Sequence, residues 1–343
     1  MTEFNHILNA LPWPSLLVGP DLRVGKFNSA AQSMFELAGS KTLLVNIMRH
    51  PNVLQAVDVS LNAQIEQKTR YVQRKIEGES VFKVHISPVD PIAGVMVCFE
   101  NIQAAELLNQ QRRDFVANVS HELRSPLTVM IGVLETLQGP AKADPLAHET
   151  FLGIMATEAD RMQILIKDLL ALSQVEDVQR QRPQTEICIT AVIKQACGHV
   201  EQAMQVAGVQ LTSNAGVAQP PVLGDHTQLV QVFVNLLENA MVYGAESQRP
   251  RVWIDVEIVE FDLELHIPAL RICVSDKGPG IPAHLVPRLT ERFFRVDEHR
   301  SLNAGGTGLG LAIVKHILQR HHGRLDVSSV EGSGTTFAVV LPL

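Results

Sequence analysis

No run of this chain approaches the roughly 18 to 20 consecutive apolar residues that a membrane-crossing helix needs. Its start, Met1-Thr2-Glu3-Phe4-Asn5-His6, lacks the basic segment of a secretory signal. A cytoplasmic protein with no transmembrane segment is therefore expected. Cysteine is scarce. The four present, Cys98, Cys188, Cys197 and Cys273, stand singly in apolar contexts, with no Cys-x-x-Cys pair and no histidine cluster beside them. Buried, reduced thiols are the expectation. Positive charge is also in deficit, with 29 Lys and Arg against 36 Asp and Glu and a net charge of −7. That balance gives no support to direct nucleic-acid binding. With 343 residues, 46% of them hydrophobic, the chain is long enough for two or three globular domains.

What is present centres on a histidine followed at once by an acid: Phe115-Val116-Ala117-Asn118-Val119-Ser120-His121-Glu122-Leu123-Arg124-Ser125-Pro126-Leu127. The apolar residues Val116, Val119, Leu123, Leu127, Met130, Leu134 and Leu137 recur at steps of three and four, a coiled-coil-like seam. At about 100° per residue, His121 falls on the face opposite Val119, away from that seam. It is predicted to face solvent.

The spacing divides the chain into three segments, an α+β multidomain protein. Residues 4–100 read as a small α/β module with strands at 16–18, 23–27, 71–76, 81–86 and 94–99. Asn28 is placed to cap a helix that runs through Met34 and Leu37 and stops near Gly39. This order resembles a PAS sensor domain, in pattern only. An unliganded contact module fits the same residues equally well.

Residues 101–178 read as two long helices joined near Gly139-Pro140 and Ala143-Asp144-Pro145. The second carries Phe151, Met155, Met162, Leu165, Leu169 and Leu172, with Glu158 interrupting the row. An isolated hairpin cannot bury both apolar faces, so a homodimer forming a four-helix bundle is predicted. Residues 186–343 alternate strands (186–189, 209–213, 251–259, 263–275, 324–328, 335–341) with helices (190–206, 226–243, 308–321). An α/β sandwich with helices on one face of a mixed sheet is expected.

Two glycine clusters in this last segment have the character of a ligand site. Asp276-Lys277-Gly278-Pro279-Gly280 ends a strand with a carboxylate and two glycines, a pattern that a structural turn also explains. Gly305-Gly306-Thr307-Gly308-Leu309-Gly310-Leu311 opens an apolar helix, whose free N–H groups suit phosphate. It matches neither the P-loop nor the dinucleotide fingerprint. Nine of the 22 glycines lie between Gly278 and Gly334, which favours a site over scattered turns. Asn235 and Asn239 share a helix face at a spacing of four, after a capping-box pattern at Asp225 and Gln228. Amide oxygens of this kind suit Mg²⁺, although satisfied core amides have the same spacing.

Taken in order, His121-Glu122-Leu123-Arg124-Ser125-Pro126, Asn235-x3-Asn239, Asp276-x-Gly278-x-Gly280, Arg292-Phe293-Phe294-Arg295 and Gly306-x-Gly308-x-Gly310 resemble the H, N, G1, F and G2 boxes of two-component sensor histidine kinases. Arg112-Arg113-Asp114-Phe115-Val116-Ala117-Asn118 is most similar to the phosphate-regulon sensor subgroup. The resemblance spans about residues 105–343. It implies a phosphoacceptor helical hairpin and an ATP-binding domain of the histidine kinase/Hsp90-like type. It further implies ATP-dependent phosphorylation of His121 and transfer to an aspartate in a response regulator receiver domain.

By the same resemblance, Glu122 accepts the imidazole proton, and Ser125 stands in the motif linked to phosphatase activity. Asn239 binds Mg²⁺ with Asn235 in support, and Asp276 accepts from adenine beside Lys277. Gly278, Gly280, Gly306, Thr307, Gly308, Leu309 and Gly310 shape the nucleotide site. Residues 283–304 form a lid from which Arg292 or Arg295 reaches phosphate. Imidazole is largely neutral near pH 7 and so nucleophilic, and an adjacent carboxylate fixes its tautomer. Pro126 removes one helical donor, which frees the carbonyl of Glu122 and favours a bend.

Two departures stand out. Val242 occupies the position where the family usually has lysine, leaving Lys277, Arg292, Arg295 or Arg300 to compensate. Ser125 replaces the usual threonine or asparagine. The alternatives are a pseudokinase acting as a nucleotide-binding or phosphatase scaffold, and an ATPase of the same superfamily that forms no phosphoenzyme. The latter would have glutamate where Asn235 stands, and no His-Glu helix.

Overall fold

The structure, a computed structural model, describes residues 2–343 except 38, 40, 76–77, 90–93, 143, 178–181, 216–218, 245–249 and 297–305. The predicted strand end Ile76, the connection residue Ala143, and Gly305, Arg300 and most of the second half of the expected lid lie outside those described residues. The chain forms two compact units, 1–117 and 118–343.

In the first unit, α1 (Thr2–Ala10) precedes β1 (Ser15–Val18), β2 (Arg23–Phe27), α2 (Ser29–Phe35), β3 (Thr42–Leu43), α3 (Leu44–Ile47) and α4 (Pro51–Ala63). Then follow β4 (Gln67–Lys75), β5 (Gly78–Val89), β6 (Gly94–Asn101) and the start of α5 (Gln103–Gln138). The six strands pair antiparallel in the order β3-β2-β1-β6-β5-β4. Alternate residues of β5, Phe82, Val84 and Ile86, are buried while Lys83 is exposed, as a half-covered sheet requires. Those residues meet Val95, Val97 and Phe99 of β6 and Val53 and Val57 of α4 in one core. Asn28 caps α2 as predicted, its Oδ1 accepting from the N–H of Ala31 at 2.9 Å and of Ser15 at 3.0 Å. The same amide donates to the carbonyl of Trp13 at 2.8 Å, so one buried side chain joins helix, strand and the preceding loop.

The second unit begins within α5, which continues unbroken through Pro126. Asp144 starts α6 (Pro145–Asp177) by accepting from the N–H of Leu146 at 3.0 Å and of Ala147 at 3.2 Å. Of the predicted seam on α5, Val119, Leu123, Met130 and Leu137 are half-buried, while Val116, Leu127 and Leu134 stay exposed. The most buried positions are instead Pro126 and Val133, and Pro126 lines a small cavity with Arg161, Met162 and Leu165 of the second helix. On α6, Leu165 and Leu172 are buried and Leu152, Ile164, Ile166 and Leu170 exposed.

After the hairpin come β7 (Glu186–Ile187), α7 (Ile189–Val206), β8 (Gln210–Ser213), β9 (Val222–Leu223) and α8 (His226–Gly244). Next are β10 (Arg251–Val259), β11 (Ala269–Asp276), a 3-10 turn (Val286–Arg288), α9 (Gly310–Arg320), β12 (Arg324–Val330) and β13 (Gly334–Pro342). The mixed sheet runs β12-β13-β11-β10-β8, with only the β10–β8 pair parallel. Helix α8 packs on β10, β11 and β13, α9 on β12, and α7 on α8. This is the expected one-sided sandwich.

Two further expectations fail. Residues 263–268, read as part of a strand, form a turn, because Asp262 Oδ1 accepts from the N–H of Glu264 and Leu265 at 3.1 and 2.9 Å. Arg324 fixes that carboxylate through a two-pronged contact, Nη2 to Oδ2 at 2.9 Å, which holds its pKa well below the usual carboxylate range. Cys188, read as buried, is exposed just before α7, and the other three thiols are half-buried.

Candidate functional site

His121 lies mid-way along α5 and is exposed, on the face the periodicity assigned to it. Among the described residues its ring forms no hydrogen bond or ion pair. Ser125, one turn on and also exposed, donates its hydroxyl to the His121 carbonyl at 3.4 Å. Glu122 points elsewhere. Its Oε2 accepts from Arg295 Nη2 at 3.0 Å and lies 3.8 Å from Arg161 Nη2 on α6.

Asp276, at the end of β11, is 7% exposed. Burial raises its pKa against the N–H of Gly278, which donates to Oδ1 at 2.7 Å, and that of Thr335. A side chain on Gly278 would meet the Tyr243 carbonyl at the end of α8, and one on Gly280 (φ +72°) the Val330 carbonyl. One on Gly308 (φ +71°) would meet the backbone of Phe293. These three glycines admit neighbouring backbone, which closes the loops around Asp276 and the start of α9. Gly310 begins α9 against Asn235, whose Nδ2 donates to the Gly310 carbonyl at 3.2 Å. Gly306 is exposed.

The Leu309 side chain is fully buried, so only its backbone is available to a ligand, and its N–H donates to Thr307 Oγ1 at 3.2 Å. Asn239 is half-buried and, among the described residues, makes no side-chain hydrogen bond, so its oxygen is open to a cation. Together these residues fit a nucleotide with its metal: a buried acceptor, an unengaged amide oxygen and a glycine loop at a helix start. Among the described residues no cluster of three or more His, Cys, Asp or Glu makes a metal site.

The cations available to stand in for the absent lysine at Val242 are differently placed. Lys277 sits 5.5 Å from the centre of the Trp253 ring. Arg292 is half-buried and partnered. Arg295 has a side chain only 9% exposed, engaged by Glu122, and its Nε is buried without a hydrogen-bond partner among the described residues.

The sequence reading missed Arg161 and Asp168. Asp168 Oδ2 accepts from the Thr307 hydroxyl at 2.6 Å. Burial raises its pKa despite that bond and the nearby Lys167. Glu238, between the two asparagines in sequence, is exposed as a residue, yet crowding around its carboxyl and then the Asp168 charge raise its pKa as well. A signal for Asp168 existed: it falls between Leu165 and Leu172 at helical spacing, an acid on the apolar face of α6. Arg161 carries no such mark. His321 was also missed. It is fully buried, accepts from the Asp225 N–H through Nε2 at 2.9 Å and bonds to the Ile317 carbonyl through Nδ1 at 2.7 Å. It therefore secures the start of α8, where Asp225 also accepts from the Gln228 N–H at 3.1 Å, the cap the sequence suggested.

Comparison with known proteins identifies two domain families in the chain. Residues 111–178 match the His Kinase A (phospho-acceptor) domain family, and residues 224–343 the histidine kinase-, DNA gyrase B- and HSP90-like ATPase family. The phosphate regulon sensor protein PhoR of Pseudomonas aeruginosa is 37% identical over 244 residues, 71% of this chain and 52% of that protein. The sensor histidine kinase WalK of Bacillus subtilis is 36% identical over 267 residues, 77% of this chain and 42% of that one. The chain thus spans about half the length of the curated relatives it matches. Among solved structures, histidine kinase ThkA, in complex with response regulator protein TrrA, shares the fold at a TM-score of 0.52. It is 19% identical, with 98% of this chain and 97% of that one covered. Among the described residues no helix is long and apolar enough to cross a membrane. On its matched domains and relatives, the chain belongs to the two-component sensor histidine kinases.

Proposed function

We propose that this chain is a protein histidine kinase that phosphorylates its own His121 from ATP and passes the phosphoryl group to an aspartate of a response regulator. One observation carries the reading. Arg295, from the glycine-loop domain, reaches within 3.0 Å of the carboxylate next to the exposed His121. A residue of the nucleotide side therefore already touches the neighbour of the phosphoacceptor.

In the first step the bond from the γ-phosphorus to the bridging oxygen of ATP breaks, a ring nitrogen of His121 bonds to phosphorus, and ADP leaves. Glu122 takes the proton from the other ring nitrogen, once free of Arg295. Asp276 accepts from the adenine amino group, and Gly278 and Gly280 shape its pocket beside Lys277. The backbone from Gly306 through Thr307, Gly308 and Leu309 to Gly310 faces the phosphates at the start of α9. Asn239, supported by Asn235, holds Mg²⁺, which neutralises phosphate charge. Arg292 and Arg295 supply further positive charge. Ser125, one turn after His121, serves an opposing activity, in which water cleaves the acyl phosphate of the regulator's aspartate and releases inorganic phosphate.

In this reading residues 4–100 are a PAS-like sensor domain, 101–178 the dimerisation and phosphotransfer hairpin, and 186–343 the catalytic ATP-binding domain. The antiparallel strand order of the first unit, with α2 to α4 between β2 and β4, supports the sensor assignment. The exposed row Leu127, Ile131 and Leu134 on α5, facing solvent in one chain, supports a homodimer. The ThkA complex with TrrA supports a response regulator as partner. Dependence on ATP and on a receiver domain favours a cytoplasmic location for the activity.

Incubation with γ-labelled ATP and Mg²⁺ is expected to yield an acid-labile, alkali-stable phosphoprotein. His121→Gln is expected to carry no label, and label persisting in that variant would refute the assignment. Val242 favours a second reading, a scaffold that binds nucleotide without transfer. Calorimetry showing nucleotide binding alongside no labelling would establish it.

A further inference from the structure

Two residues assigned above to the nucleotide are already bonded to acids of the hairpin. Arg295 Nη2 holds Glu122 of α5 at 3.0 Å, and the Thr307 hydroxyl holds Asp168 of α6 at 2.6 Å. The two acids come from different helices, and both contacts lie within one compact unit. Thr307 is 8% exposed, so its hydroxyl has little access to water. Among the described residues Arg295 is only half satisfied: one nitrogen meets a carboxylate while Nε is buried with no partner. Around it is a small cavity lined by Glu122, Pro126, Arg161, Met162, Leu165 and Thr307.

A carboxylate oxygen on a guanidinium and another on a hydroxyl are the contacts that phosphate oxygens make with the same groups. A phosphate chain offers more acceptor oxygens than these two acids, and charged acceptors at both guanidinium edges. We propose that Glu122 and Asp168 act as built-in phosphate mimics, so that hairpin docking and nucleotide binding compete for Arg295 and Thr307. The inference rests on the nucleotide assignment of those two residues. It has a consequence for the chemistry. The carboxylate beside His121 is occupied in the docked chain, and becomes available to the imidazole when nucleotide draws Arg295 away. Because coupling between two events is reciprocal, weakening the dock must strengthen nucleotide binding.

Asp168 gives the clean test, since it has no assigned role toward ATP. Titration calorimetry of the full chain with ATP and Mg²⁺ is expected to show Asp168→Ala binding roughly five-fold or more tightly than the native chain. Asp168→Glu, which keeps the carboxylate, is expected to fall between the two. A gain in affinity is not an effect that loss of structure produces. Should the alanine variant fail to fold, the isosteric Asp168→Asn, still an acceptor but uncharged, is expected to gain affinity in the same direction. Equal or weaker binding by the folded variant would overturn the proposal while leaving the kinase reading intact. If neither the native chain nor the variant binds nucleotide, the kinase reading falls and the proposal with it.

Discussion

At the scale of single residues, the motif residues and the residues that hold them differ in how they announce themselves. His121, Asn239 and Asp276 were visible because each sits in a short pattern whose spacing has a physical meaning. Arg161 and His321 were not, because their partners are 39 and 96 residues away and no local pattern records such a contact. His321 also yields a prediction. Burial, first, and then the nearby Arg320 hold its pKa below the ordinary imidazole value of 6.5. The unfolded chain then binds more protons than the folded one between those two values. The stability this residue contributes is complete above about pH 6.5 and is lost as pH falls through the folded value. Thermal melts of the native chain are expected to drop in midpoint below that pH, with a shallower slope in His321→Gln. Parallel slopes would show that another group is responsible. The carboxyls of Asp168 and Asp276, raised by burial, act with the opposite sign: the cost they impose is relieved as pH falls through their raised values.

At the scale of elements, periodicity was legible where one face is apolar and misleading where a side chain redirects the backbone. The extents of the long helices α5 and α6 and of most sheet strands follow their patterns, although on α5 burial falls on Pro126 and Val133 rather than along the whole apolar row. Residues 263–268 alternate like a strand, yet form a turn because Asp262 captures two backbone donors and Arg324 anchors it. The glycine loops show the same limit. Their composition suggested ligand contact, while the approach of other backbone segments explains Gly278, Gly280 and Gly308. Gly280→Ala combines a left-handed backbone with a clash at the Val330 carbonyl. It is expected to destabilise the ATP-binding domain by at least about 1–2 kcal/mol, read as a lower urea midpoint. On α5, paired substitution of Leu127 and Leu134 by Glu puts charge on the exposed apolar row. Sedimentation is expected to shift from dimer to monomer, and an unchanged dimer would place the interface elsewhere.

At the scale of the whole molecule, a phosphoacceptor helix and a glycine-loop domain occupy one compact unit, with an arginine of the latter on the acid beside His121. The family membership and the two-helix-plus-sandwich plan were readable from ordered motifs. The ion pair that joins them was not, because it depends on how separate elements dock. The central claim is that His121 receives the phosphoryl group. Digestion of the ATP-treated chain at neutral pH, followed by mass spectrometric mapping, tests it most directly. Phosphate on the peptide carrying Ser120-His121-Glu122, assigned to the imidazole, is the predicted result. Phosphate on any other residue, or a phosphorylated chain in which His121 is bare, would contradict it.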